Sequence, residues 1–406
     1  MTKFLKNVFF SLIVFVTVFS ILEVATRICA SAQSGNKTYL KWGFVPSDLQ
    51  EKSKQHIELF DGYFKMKKNQ VHQNLSWATK PVRINSTGFR GRDFTKKPDR
   101  GVIRVIALGE SSTFCYEVND DETWPFLLEQ KLNAHNAGHP YEVINAGIPF
   151  MRTQHVRELV DQEILSYEPR IAPIYLGHNN AYFLFSQIIR ARQKKKSLFD
   201  RVWLFKEWTK TKILFFNLAL EWKGKKLPSK QFSGTMEKLT APILLTKKEE
   251  DKELVNAAVA EFRADVLHIV RALKQKGTTP ILVTQCVSMH YFFDRYKLNN
   301  QDLLKGYDHF SSTEAALRFV SERYERGEAI YDFELEVLLN SYFAQAIRSV
   351  AKEESVTLAD FRNVPQPLTR YLKTYVHLNR EGTGLLSDFL RPFVERAASP
   401  DHEANF

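Results

Sequence analysis

Cysteine is scarce in this sequence: three residues in 406, with no Cys-x-x-Cys pair. That excludes a disulfide-built scaffold and leaves no motif for a structural metal. No internal repeat stands out. Charged residues at 25% and aromatics at 13% exclude a disordered chain, and the length allows one large domain or two smaller ones. Long apolar runs are also rare. The one that stands out is Val8 to Leu22 (VFFSLIVFVTVFSIL), which carries no charge and is closed by Glu23 and Arg27.

With Phe4 and Leu5 ahead of it, that run approaches the ~20 residues of a membrane helix. Lys3 and Lys6 precede it, which would keep the short N-terminus cytoplasmic and place the rest of the chain outside the cytoplasm. Ala30-Ser31-Ala32 resembles a signal-peptidase site, so a cleaved signal peptide competes with an anchor. The long, charged gap before Ala32 favours the anchor. The expected organisation is a signal anchor over 1–32, a stalk and lead-in over 33–80, and a main domain over 81–400.

From Gly101 onward, short apolar runs alternate with helical stretches. Strands are expected at Val102–Leu108, Tyr141–Asn145, Ile171–Leu176, Thr279–Gln285 and Val356–Phe361. Helices are expected at Trp124–His135, Thr153–Tyr167, Asp251–Lys276, Glu334–Glu353 and after Gly382. This alternation implies an α/β fold with a parallel sheet covered on both faces. Ligands of such sheets sit beyond the carboxyl ends of the strands. Small polar residues gather at those ends: Gly109-Glu110-Ser111, Asn145-Ala146-Gly147 and Gly177-His178-Asn179.

A serine just past a strand, after a glycine that permits a tight turn, can present its hydroxyl at the sheet edge. Ser111 occupies such a place, although a helix N-cap would explain it equally well. Among eleven histidines, His377 in Tyr375-Val376-His377-Leu378-Asn379 is best placed as its base, following the last strand and preceding a helix. The Ser111 and Gly147 amides and the Asn179 side chain could converge on a developing oxyanion.

These blocks, in this order, resemble the SGNH or GDSL-type hydrolases. Gly109-Glu110-Ser111 resembles the first block, with the nucleophile; Gly147 in NAGIP the second; Gly177-His178-Asn179 the third; and His377 in VHLNREG the last, with the base. Arg83-Ile84-Asn85 and Gly88-Phe89-Arg90-Gly91 resemble the lead-in of membrane-anchored bacterial members. The resemblance spans about residues 81 to 397. It implies a flavodoxin-like three-layer fold with a five-stranded sheet, and ester hydrolysis or acyl transfer without metal or other cofactor. Where the family usually has an aspartate three residues before the histidine, this sequence has Thr374, which can offer a hydrogen bond but no charge. Asp360 and Asp388 are alternative acids, with no spacing argument for either. Cys115 stands where glycine is common and reads as a buried thiol.

About 100 residues separate the third and fourth strands, more than a crossover needs. Within 182–250, a basic helical insertion is expected. Residues 190–230 hold thirteen Lys or Arg against three acids, so most of the chain's +11 charge lies there. Leu204, Trp208, Phe215, Leu218 and Trp222 fall on one helical face, a pattern of membrane-surface helices and of helices packed on a domain alike. Three functions follow as expectations. The first is an extracytoplasmic esterase acting on an O-acyl, and specifically O-acetyl, ester of a glycan or lipid. The second is an O-acyltransferase modifying envelope polysaccharide with a membrane acyl-donor partner. The third is a catalytically reduced binding or assembly protein. Nucleic acid is not an expected partner.

Overall fold

The computed structural model describes residues 3–34, 57–59, 63–73, 75, 78–135, 138–193, 244–289, 313–364 and 368–399. The chain divides into two compact units, Met1–Phe64 with Arg192–Lys238, and Lys65–Ala191 with Leu239–Phe406.

In the first unit, a helix runs from Lys3 to Ser34. The expected membrane span is corrected here: no helix among the described residues is long and apolar enough to cross a membrane. The physical reason is length. The uncharged run holds 15 residues, which covers roughly 22 Å at 1.5 Å per residue, against a hydrocarbon core of about 30 Å. Glu23 and Arg27 lie within the same helix and pair with each other at 2.8 Å. The basic aromatic insertion expected over 182–250 lies outside the described residues from 194 to 243, together with the membrane- or glycan-facing role assigned to 190–230.

The second unit is built on a five-stranded sheet: β1 (Ile103–Gly109), β2 (Tyr141–Gly147), β3 (Ile171–Tyr175), β4 (Thr279–Val283) and β5 (Thr357–Ala359). The spatial order is β5-β4-β3-β1-β2, with every pairing parallel. All seven residues of β1 and all five of β3 are buried, as expected of strands covered on both faces. Alternate β1 residues face opposite layers. Val105 and Ala107 join the cluster formed with Trp124, Leu128 and Leu132 of helix Trp124–His135 and Leu386, Leu390 and Val394 of helix Arg380–Ala398. Helices Thr153–Gln162, Glu249–Gln275 and Asp332–Glu353 bury Leu159, Phe262 and Phe343, and the rings of Phe262 and Phe343 meet edge-on at 4.7 Å. The one charge inside β1, Arg104, is held by Glu142 at 2.7 Å and by the Lys96 and Tyr167 carbonyls.

The strands lie where the apolar runs placed them, with ends within three residues. Beyond the expected elements lie a helix at Thr313–Glu325 and a short antiparallel pair, Leu244–Leu245 with Ile330–Tyr331.

The register sets the site. Gly109 and Gly147 are aligned partners at the carboxyl ends of β1 and β2. A methyl group on Gly109 would lie 2.2 Å from the Tyr175 carbonyl oxygen, and one on Gly147 would lie 2.1 Å from the Phe114 nitrogen. The turn after β1 is therefore packed directly on the backbone of β2. Gly147→Ala must displace that turn, and a loss of about 3 kcal/mol is expected in urea unfolding.

Candidate active site

The chain leaves β1 through Gly109 and Glu110 into a single helical turn, Ser111–Phe114. The turn closes on Cys115, a non-glycine residue in the left-handed region at φ 64°, and Glu117 follows at φ 81°. Arg90 from the lead-in holds this segment. Its guanidinium donates to the carbonyls of Phe114, Cys115 and Val118 at 2.7–2.8 Å and to Asp120 at 2.7 Å. Such a fan of donors needs arginine; a lysine ammonium cannot span it.

His377 sits on a tight loop pinned by the Leu372–Leu378 bridge and by the Lys373 N–H donating to the His377 carbonyl at 2.8 Å. Its Nε2 lies 2.9 Å from Ser111 Oγ and its Nδ1 lies 3.0 Å from Thr374 Oγ1. The Thr374 hydroxyl also accepts the His377 backbone N–H at 3.0 Å. With Nδ1 protonated and donating to Thr374, Nε2 is free to accept the Ser111 proton. Burial lowers the His377 pKa to about 4, so the imidazole is neutral at pH 7. The alternative acids lie elsewhere: Asp360 binds Arg348 and Thr284, and Asp388 binds Lys131.

Of the three expected oxyanion donors, Ser111 N–H opens its turn, where helix geometry leaves N–H groups unpaired. The Asn179 amide donates to the Met151 carbonyl at 2.8 Å, which leaves its second hydrogen. The Gly147 N–H is directed elsewhere, to Asn145 Oδ1 at 3.0 Å.

Glu110 has a role that the sequence does not show. It is fully buried, and its carboxyl accepts from the backbone N–H groups of Gly177, His178 and Asn179 at 2.8–2.9 Å and from the Gln285 side chain at 3.0 Å. Burial raises its pKa to about 7, with those four bonds pulling the other way. The readable signal is an acid at the carboxyl end of a strand whose only other charge is Arg104, facing the start of the helix His178–Gln193. Tyr375 makes a second link. Its hydroxyl meets His178 Nε2 at 2.6 Å, joining the loop of His377 to the same helix start. Burial, then the charge of His377, lowers the His178 pKa to about 3. Cys115 is a buried thiol with its pKa pushed up to about 12 by desolvation.

No protein-family model matches the chain, and no curated protein matches it. Solved structures do. One is a putative lipolytic protein of the G-D-S-L family from Desulfitobacterium hafniense DCB-2, at 15% identity over 71% of this chain and 98% of that one, TM-score 0.36. A lipase/acylhydrolase from Enterococcus faecalis is similar at 14% identity over 73% and 97%, TM-score 0.38. An acetylxylan esterase from Geobacillus stearothermophilus is similar at 12% identity over 73% and 94%, TM-score 0.38. These likenesses are too distant to carry function, which rests on the geometry above.

Two outcomes are expected. By NMR, the His377 imidazole titrates near pH 4, and Thr374→Asp moves its midpoint upward by about 1–3 units, because a carboxylate favours the imidazolium. A titration near 6.5 in the wild type would contradict the buried, uncharged setting. Glu110→Gln turns one acceptor atom into a donor facing other donors, and a loss of about 2–3 kcal/mol is expected in chemical unfolding.

Proposed function

We propose that the protein is a serine esterase of SGNH type, with Ser111 as nucleophile and His377 as base, acting on a short O-acyl ester. The observation that carries this reading is the unbroken line Ser111 Oγ–His377 Nε2, His377 Nδ1–Thr374 Oγ1, with spacings of 2.9 and 3.0 Å at the sheet's carboxyl edge. Nucleophile, base and orienting group within hydrogen-bond reach make the arrangement of nucleophilic acyl transfer.

In this reading, His377 Nε2 takes the Ser111 proton as Oγ attacks the ester carbonyl carbon. The oxyanion is met by Ser111 N–H and the second hydrogen of the Asn179 amide; Gly147 N–H contributes once released from Asn145. The carbon–oxygen bond to the alcohol breaks, and the imidazolium returns the proton to that oxygen, leaving acyl-Ser111. Water, deprotonated by His377, then frees the acid. Ser111 is only 9% exposed, which favours a small acyl group such as acetyl. An ester-bearing glycan fits this reading as the alcohol component.

Thr374 gives the imidazolium a dipole where an aspartate would give a charge. A slower chemical step follows, and Thr374→Asp should raise kcat. Ser111→Ala and His377→Ala should each lower kcat for a small acetate ester by about a thousandfold or more, as nucleophile and base act as one unit. Fluorophosphonate should label the wild type and fail to label Ser111→Ala. Equal labelling of both would overturn the nucleophile assignment, and a wild type that neither reacts with fluorophosphonate nor cleaves any acetate ester would overturn the activity.

A further inference from the structure

Just past Gly147, the chain turns through Ile148-Pro149-Phe150-Met151, with the Met151 N–H directed at the Ile148 carbonyl at 3.5 Å. Pro149 and Phe150 are the two central residues of this turn. Phe150 has φ 66°, a left-handed conformation. A turn with proline first and a positive φ second favours glycine or asparagine at that second place. The sequence instead has a bulky aromatic there, at a conformational cost.

Burial gives nothing back. Phe150 is 57% exposed, whereas the neighbouring Ile148 and Met151 are almost wholly buried. Among the described residues of the second unit, few large apolar side chains are so open; Val71 and Leu244 are the others above one half. Neither backbone preference nor core packing accounts for a phenylalanine here.

Its position does. The residue three before it is Gly147, aligned with the glycine that precedes the nucleophile turn. The residue after it is Met151, whose carbonyl holds the Asn179 amide at 2.8 Å. Ile148 N–H donates to the Gly109 carbonyl at 3.2 Å, so the turn starts against β1 itself. Both ends of the turn are thus fastened to groups of the site, and the ring stands between them in solvent.

We infer that Phe150 is a specificity-determining contact, an exposed aromatic platform for a ring-shaped alcohol component of the ester, such as a sugar or an aryl group. This inference rests on the serine esterase reading. The small acyl group belongs with buried Ser111, and the larger body of the substrate remains outside, where a flat ring at the rim can cover it. An aromatic face suits such a partner because it offers apolar area at little conformational entropy cost.

The test compares three acetates, ethyl acetate, phenyl acetate and an O-acetylated methyl glucoside, across the wild type, Phe150→Gly and Phe150→Trp. Phe150→Gly should keep or raise Tm, because glycine suits this turn position. It should lower kcat/KM at least tenfold for one or both ring-bearing acetates, mainly through KM, and change ethyl acetate by less than twofold. Phe150→Trp should restore the preference for the ring. An unchanged ratio between ring-bearing and ethyl esters in Phe150→Gly would overturn the inference while leaving the esterase reading standing. A lowered Tm with an equal loss on all three esters would also overturn it, by assigning Phe150 a structural role. A wild type that cleaves none of the three and resists fluorophosphonate would remove the esterase reading, and this inference with it.

Discussion

A fully buried carboxyl group stands beside the nucleophile, and the ends of three strands are organised by what it accepts. Glu110 leaves β1, takes three successive N–H groups where β3 gives way to its helix, and takes the Gln285 side chain beyond β4. Burying an acid in this way is costly unless donors surround it. Here the donors come from a helix N-terminus, where N–H groups are unpaired and the local field favours negative charge. Each such bond to a charged group contributes roughly 1.5–3 kcal/mol. Asn179 is held in place through its own backbone N–H, so the acid beside Ser111 also fixes the residue that reaches for the oxyanion.

The electrostatics of the base follow from burial as well. His377 and His178 lie close together, and desolvation keeps both neutral at pH 7. A neutral imidazole is ready to accept a proton, but its charged form is poorly supported, since Thr374 offers only a hydroxyl oxygen. The sign for stability is fixed by the unfolded chain, which binds protons at these histidines more tightly. They favour folding less as pH falls from about 6.5 towards 4. Glu110 acts in the opposite sense between its unfolded value near 4.5 and about 7, losing its contribution as pH rises.

Much of this was legible in the sequence because the β-strands are apolar runs that end in glycine or a small polar residue, a pattern that needs no tertiary knowledge. Ser111, His377 and Asn179 could be picked out from that pattern and their order, and Thr374 through the family resemblance alone; the fold brings Ser111, His377 and Thr374 into one hydrogen-bonded line. Gly147 was placed correctly at the edge, but its N–H is turned to Asn145, which spacing along a chain cannot show. Glu110 and Arg90 stand inside motifs of the sequence, but their roles are not legible there, because most of their partners are backbone groups, such as those of His178 and Phe114, 68 and 24 residues away, which no side-chain motif records. The N-terminal run departs from expectation for a different reason. Its 15 uncharged residues approach the length of a membrane helix without reaching it, and Glu23 and Arg27 follow within the same helix.

The hold of Arg90 on the turn after the nucleophile bears on what counts as one working piece of this protein. The strand, turn and helix that carry Ser111 look like a self-contained module. The carbonyls that shape the turn are nevertheless satisfied from a segment that precedes β1 by more than ten residues. A boundary drawn at the first strand would therefore keep the sheet and lose the brace. In recombination between relatives, or in grafting this site onto another sheet, the lead-in and the nucleophile turn have to be inherited together.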